Sequence, residues 1–184
     1  MTSHPMSEDK IQTLNRDLRM LIETDGTLTR ILRIVYNDEI EVKIINQRIR
    51  LTAPIHVPEF DGSIGRVLDR QILLCGRNSG IAFIAAESLI AIDLLPASIT
   101  KVLTETNRPI GETVAASRLE TYKEPVTVWI AELPNWTGLR NYTSERPRVV
   151  KRRYRVTSGG RPVIVITEYF LRHQVEVTNT GWAR

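Results

Sequence analysis

Cysteine is the scarcest reactive residue in the chain: Cys75 stands alone, which excludes an internal disulfide and any cysteine-based zinc site. It lies in the apolar run Ile72-Leu73-Leu74-Cys75, with no histidine near it in sequence to activate a thiolate, and it reads as packing. Histidine is nearly as sparse. His4, His56 and His173 are scattered, and none forms a helical i, i+4 pair or stands beside spaced carboxylates, so no metal is expected. No apolar run reaches the roughly 18 residues that cross a bilayer. The longest candidate, residues 81–95, is interrupted by Glu87 and Asp93. The N-terminal stretch 1–10 is polar and acidic rather than basic and then apolar, which is not a secretory pattern. A cytoplasmic protein with no membrane partner is the expectation. Internal repeats, low-complexity stretches and domain linkers are lacking as well.

What is present suits a globular chain. The sequence has 184 residues, 42% hydrophobic and 25% charged, enough to bury a core in one domain. That domain is expected to span 1–184, with 1–6 and 173–184 the candidates for disorder. The net charge is +4, and much of the excess gathers in Arg140, Arg146, Arg148, Lys151, Arg152, Arg153 and Arg155. A solvated strand face and loop would account for this cluster. So would an anionic small-molecule ligand. Nucleic acid is not expected, because no recognition motif or interleaved aromatic platform accompanies the charge. Nothing demands a partner chain, so a monomer or weak homodimer is expected.

Along the chain, Ser7 is placed to cap a helix whose stripe is Ile11, Leu14, Leu18, Leu21 and Ile22, stopped at Asp25-Gly26. Thr27 is placed to cap a short second helix through Arg33. From Glu39 the period becomes two, with Ile40, Val42 and Ile44 alternating against Glu41 and Lys43. Residues 53–65 read as a long loop. Two strands follow, 66–75 and 81–88, joined by a glycine-flanked turn. A helix is expected over 96–104, broken at Asn107-Arg108-Pro109-Ile110-Gly111. One or two strands are expected within 119–132, then a second long loop over 133–147. A hairpin closes the chain, 149–157 and 162–170, turned at Ser158-Gly159-Gly160-Arg161. Runs of strands beside segregated helices predict an α+β fold with an antiparallel sheet.

Strand alternation singles out two charges. In 66–75, one face carries Leu68, Arg70, Ile72 and Leu74; in 162–170, one face carries Ile164, Ile166, Glu168 and Phe170. A charge among aliphatics is costly unless it is paired or serves a ligand. Should the hairpin turn hold an odd number of residues, Arg152 faces Glu168, and the two form a structural ion pair. The residues alone leave ion pair and functional site both open for Glu168. For Arg70, a guanidinium suits bidentate carboxylate binding inside a pocket.

Several segments in order resemble the chorismate pyruvate-lyase family, closest to its actinobacterial branch. They are Thr27-Leu28-Thr29-Arg30, Leu68-Asp69-Arg70-Gln71-Ile72-Leu73-Leu74, Pro109-Ile110-Gly111, Arg152-Arg153-Tyr154-Arg155, and Gly160-Arg161-Pro162 leading to Thr167-Glu168-Tyr169-Phe170. The resemblance implies a chorismate-lyase-like fold: an antiparallel, about six-stranded sheet with helices packed around it and the site enclosed under flap-like segments. It implies conversion of chorismate to 4-hydroxybenzoate and pyruvate without metal or organic cofactor. Arg70 matches the arginine that holds the ring carboxylate, and Glu168 the glutamate near the ring hydroxyl. Leu28 and Ile110 match two apolar positions whose backbone amides help bind the ligand. The family often has methionine and leucine there, and both replacements keep an apolar wall and a backbone donor. Arg152, or another of the basic cluster, is the candidate for the second carboxylate on charge alone. Whether Glu168 moves a proton or only orients the hydroxyl stays open.

A non-catalytic alternative shares the fold. The effector domains of GntR-type regulators, of the UTRA kind, resemble it and bind small molecules without transforming them. The stretch before Thr27 is too short for the winged-helix domain that normally accompanies them, which leaves a stand-alone sensor as the rival reading.

Overall fold

The structure, a computed structural model, describes residues 4–51, 57, 59–60, 64–124, 127–139 and 147–174. The loops expected over 53–65 and 133–147 fall partly outside these residues, as do His56, Arg140, Arg146 and the tail from 175. Among the described residues seven strands form one sheet: β1 (Ile40–Arg50), β2 (Val67–Gly76), β3 (Ala82–Ala91), β4 (Tyr122–Lys123), β5 (Thr127–Glu132), β6 (Arg148–Ser158) and β7 (Arg161–Gln174). Every pairing is antiparallel, in the order β1-β2-β3-β7-β6-β4, with β5 also on β6. Seven strands replace the expected six because β4 and β5 lie end to end along one edge of β6, facing Val156–Thr157 and Arg148–Arg153. The sheet therefore has six positions.

Five α-helices among the described residues accompany it: α1 (Glu8–Gln12), α2 (Arg16–Glu23), α3 (Leu28–Tyr36), α4 (Ala97–Glu105) and α5 (Ile110–Ser117). The single N-terminal helix of the sequence reading is two. The apolar stripe runs on unbroken, but the Asn15 side chain accepts from the Leu18 amide at 2.8 Å and starts a new helix. The stretch after Asn107, read only as a break, turns into α5. No helix among the described residues is long and apolar enough to cross a membrane.

Alternation sorts the core onto two faces. On one, Ile72, Leu74, Ile84, Ala86, Val150 and Phe170 pack beneath α2 and α3 through Leu18, Leu21, Ile22 and Leu32. Farther along the same face, Leu68, Ile90, Ile164 and Ile166 pack beneath α4 and α5 through Ile99, Leu103 and Ile110. The opposite face holds Val67, Leu73, Cys75, Ala85, Val165 and Tyr169 under loop residues.

The closing hairpin sets the register on which the site depends. Its turn holds two residues, Gly159 (φ 57) and Gly160 (φ 75), with Ser158 opposite Arg161. That even count alone would face Arg152 toward Thr167. Between the turn and Arg152 the register shifts once, between Val156↔Ile164 and Thr157↔Pro162, leaving Val163 as an extra residue. Val163 and Ile164 are accordingly both buried in one cluster. The bulge supplies the odd residue that the sequence reading assigned to the turn, and Arg152 pairs with Glu168. Left-handed backbone at both turn positions suits glycine. Gly160→Ala has open space for its methyl and is still expected to cost about 1 kcal/mol from backbone strain, read as a lower urea midpoint.

Candidate active site

Between the two helical groups, the middle of the sheet face floors a cavity of about 360 Å³. Its apolar floor comes from Ile72 and Leu74 on β2, Ala86 on β3, and Ile164 and Ile166 on β7. Ser88, Lys123, Tyr154 and Glu168 are its principal polar groups on the sheet, and among the described residues Lys123 is the one basic residue in the lining.

The roof is made by two helix beginnings. Leu28 is the first residue of α3 and Ile110 the first of α5, and both line the cavity. Neither helix has a side-chain N-cap: Thr27 makes no capping bond, and Pro109 has no group to make one. First-turn amides lack intrahelical acceptors and carry the positive end of the helix dipole. The residues bearing them, Leu28, Thr29, Ile110 and Gly111, line the cavity, so the roof is apolar in its side chains and anion-friendly in its backbone. The Thr29 hydroxyl donates to Glu112 at 2.8 Å and ties the two beginnings together.

Arg70 is fully buried, at 0% exposure. Its guanidinium donates to two backbone carbonyls, Arg108 at 3.2 Å and Thr106 at 3.3 Å, and its Nε has no partner. Among the described residues no carboxylate pairs with it. Burial alone pushes it below the usual arginine value, with no acid to offset this. Arg70 does not itself line the cavity. It stands just behind the lining, between Ile72 in its own strand and the carbonyls that precede Pro109–Ile110, and beside Ser88, its partner on β3.

Glu168 lines the cavity on the same sheet face. The rows Arg70–Ser88–Ile166–Tyr154 and Ile72–Ala86–Glu168–Arg152 run across β2, β3, β7 and β6, so Arg70 and Glu168 stand two strands apart, one row offset. Two strand spacings are about 10 Å. The Glu168 carboxylate pairs with Arg152 Nε and accepts the Tyr154 hydroxyl at 3.2 Å. Two of about four lone-pair positions on a carboxylate are then in use.

Arg152 does not line the cavity. It is 1% exposed, lies behind Glu168, and its Nη1 donates to the carbonyls of Leu21 and Ile22 at 2.6 Å each, in the last turn of α2. Burial, the largest single influence, acts to lower its pKa, but the charge of Glu168, the Tyr154 phenol and the hydrogen bond to Glu168 together outweigh it and leave it above the ordinary value. Of the two readings left open for Glu168, the structure shows the ion pair, and the carboxylate also faces the cavity on its other side. Tyr154 is pushed well above the usual phenol value by burial first and the Glu168 charge second, so its hydroxyl is a lasting donor.

Sequence reasoning missed Ser88 and Lys123. Ser88 sits on the apolar face of β3 among Ile84, Ala86 and Ile90, a small polar signal easily taken for filler. Lys123 lies on a two-residue strand, where no alternation exists to mark it. Among the described residues no group of His, Cys, Asp and Glu is arranged to hold a metal ion.

A family model described as "Chorismate pyruvate-lyase Rv2949c-like" matches residues 22–177. A protein of Mycobacterium leprae named chorismate pyruvate-lyase is 56% identical over 173 residues, 94% of this chain and 82% of that one. One of the same name from Mycobacterium tuberculosis is 53% identical over 176 residues, 94% and 88% of the two chains. Among solved structures, the effector domain of PhnF from Mycobacterium smegmatis superposes with a TM-score of 0.56 at 12% identity, covering 79% of this chain and 88% of that one. That likeness is one of fold.

Proposed function

The chain belongs to the Rv2949c-like chorismate pyruvate-lyase family, and from that premise we propose that it is a carbon–oxygen lyase converting chorismate to 4-hydroxybenzoate and pyruvate. The observation that carries the reading onto these residues is Arg70: a buried guanidinium without a counter-charge among the described residues, beside a cavity roofed by two uncapped helix beginnings. A carboxylate of the substrate is the missing partner. It takes the place of the two long carbonyl contacts and meets the unbonded Nε.

Chorismate is a dianion. Breaking its C3–O bond sends the electron pair out with the enolpyruvyl oxygen, and loss of the C4 proton aromatises the ring. The methylene carbon of the departing enolpyruvate gains a proton and gives pyruvate, so atoms and charge balance without water. Aromatisation supplies the driving force, and the protein has chiefly to hold the side chain in the eliminating geometry. Arg70 anchors the ring carboxylate with the amides of Leu28 and Ile110. Glu168, held by Arg152 and Tyr154, accepts the 4-hydroxyl with its free lone pairs and stands nearest the C4 proton. Arg152 acts through Glu168 as a positioning residue. The reading carries with it a cytoplasmic protein that needs no metal, cofactor, membrane or nucleic-acid partner.

EDTA-treated protein given chorismate is expected to release 4-hydroxybenzoate and pyruvate in equal amounts, followed by chromatography, with no gain on adding back divalent metal. Tight binding of chorismate without product would instead favour the non-catalytic sensor.

A further inference from the structure

Arg70 and the roof meet one carboxylate of a dianion, which leaves the second without a partner. Arg152 is not free to serve: its Nε and Nη1 are committed to Glu168, Leu21 and Ile22, and it lies outside the lining. We propose that Lys123 receives the carboxylate of the enolpyruvyl side chain, and so distinguishes the substrate from the aromatic product. This inference rests on the chorismate-lyase reading of the site.

Placement is the first support. Lys123 is opposite Val156 on β4, the edge beyond β6, while Arg70 is on β2. Four strand spacings, about 19 Å, separate their backbones along the sheet, a span for two long side chains with a ligand between. The substrate's own geometry is the second. Its ring carboxylate is on C1, para to C4, and its side chain is on C3, next to C4. With C1 at Arg70 and the C4 hydroxyl at Glu168, the second carboxylate falls on the Glu168 side, away from Arg70. Lys123 is there: its Nζ lies 4.4 Å from the centre of the Tyr154 ring, whose hydroxyl bonds Glu168.

The ammonium is also undercommitted. It has three donors, and among the described residues it makes one hydrogen bond, to the Thr24 carbonyl at 2.6 Å. Its one ion pair among the described residues, to Asp25 at 4.0 Å, is with a side chain 92% exposed, a counter-charge weakened by solvent. The attraction of Glu168, which is stronger than that of Asp25, is opposed by the charge of Arg152. The bond to Thr24 gives the competing account, that Lys123 merely holds the 24–27 connector under which the ligand lies.

Substrate and product separate the two accounts, because 4-hydroxybenzoate keeps the ring carboxylate and lacks the other. Lys123→Met removes the charge, and Lys123→Gln removes it while keeping a donor for Thr24. In both, kcat/KM for chorismate is expected to fall about 10- to 100-fold, the range of a charged hydrogen bond. The Kd of 4-hydroxybenzoate by calorimetry is expected to stay within about twofold, and Lys123→Arg to recover most of the loss. Equal weakening of substrate and product, or no loss of kcat/KM, would overturn the assignment. An unmodified protein that releases no 4-hydroxybenzoate would instead remove the reading beneath it.

Discussion

Arg70→Met is expected to fold at least as stably as the natural chain while kcat/KM for chorismate falls about 100-fold, on the order of 3 kcal/mol of transition-state binding. The two halves of this expectation have one cause. A guanidinium at 0% exposure with an unpartnered Nε and, among the described residues, no acid paired with it is a charge kept out of water at a cost to the stability of the fold. Methionine fills a similar volume without that penalty, so the urea midpoint should hold or rise. Such opposition between stability and activity is common where a site is built for a ligand that is absent. A clear drop in stability would mean that the contacts to Thr106 and Arg108 are structural. Full activity in a folded variant would exclude Arg70 from ligand binding.

Arg152→Ala has the opposite signature. Removing one member of a buried ion pair strands the other, and about 3–5 kcal/mol of stability is expected to go. Here the loss also orphans the carbonyls of Leu21 and Ile22, so α2 keeps its apolar packing on the sheet but loses these hydrogen bonds to it. Arg152→Lys should recover little, since one ammonium cannot reproduce a planar fork that serves a carboxylate and two carbonyls together. The double change Arg152→Met with Glu168→Leu sharpens the test: stability should recover much of the loss, because no stranded charge remains, while chorismate turnover stays absent. If Arg152→Ala alone unfolds at the natural urea midpoint, the pair is not holding the site.

These contrasts mark what a sequence can carry. Period-two patterning was sufficient to put Arg70 and Glu168 on apolar faces, because the strands that hold them are long and their other residues agree. It also brought Arg152 toward Glu168, though the parity came from a bulge at Val163 rather than from the turn. It did not reveal that Arg152 holds two carbonyls of a helix some 130 positions earlier, since such a contact leaves no periodic trace. The helix α5 was lost for a local reason: it has two apolar anchors, Ile110 and Val114, and begins inside a stretch whose proline and glycine read as a break. Its start at Ile110 is nonetheless what turns an apolar position into a pair of backbone donors. Lys123 was invisible for want of a strand long enough to show a pattern.

The extra residue at Val163 bears on how related chains can change length. A strand shortened by that one codon would retain Arg152, Tyr154 and Glu168 in its text and would still close through the same two glycines. Its pairing would slip by one, and Arg152 would turn to the opposite side of the sheet from Glu168. Alignments that place a gap between Arg161 and Ile164 therefore describe a protein with every site residue present and no site. Between Ser158 and Arg161, by contrast, length can vary by two without reversing the faces. For this hairpin, counting residues between Tyr154 and Glu168 is a better guide to a working site than matching either residue alone.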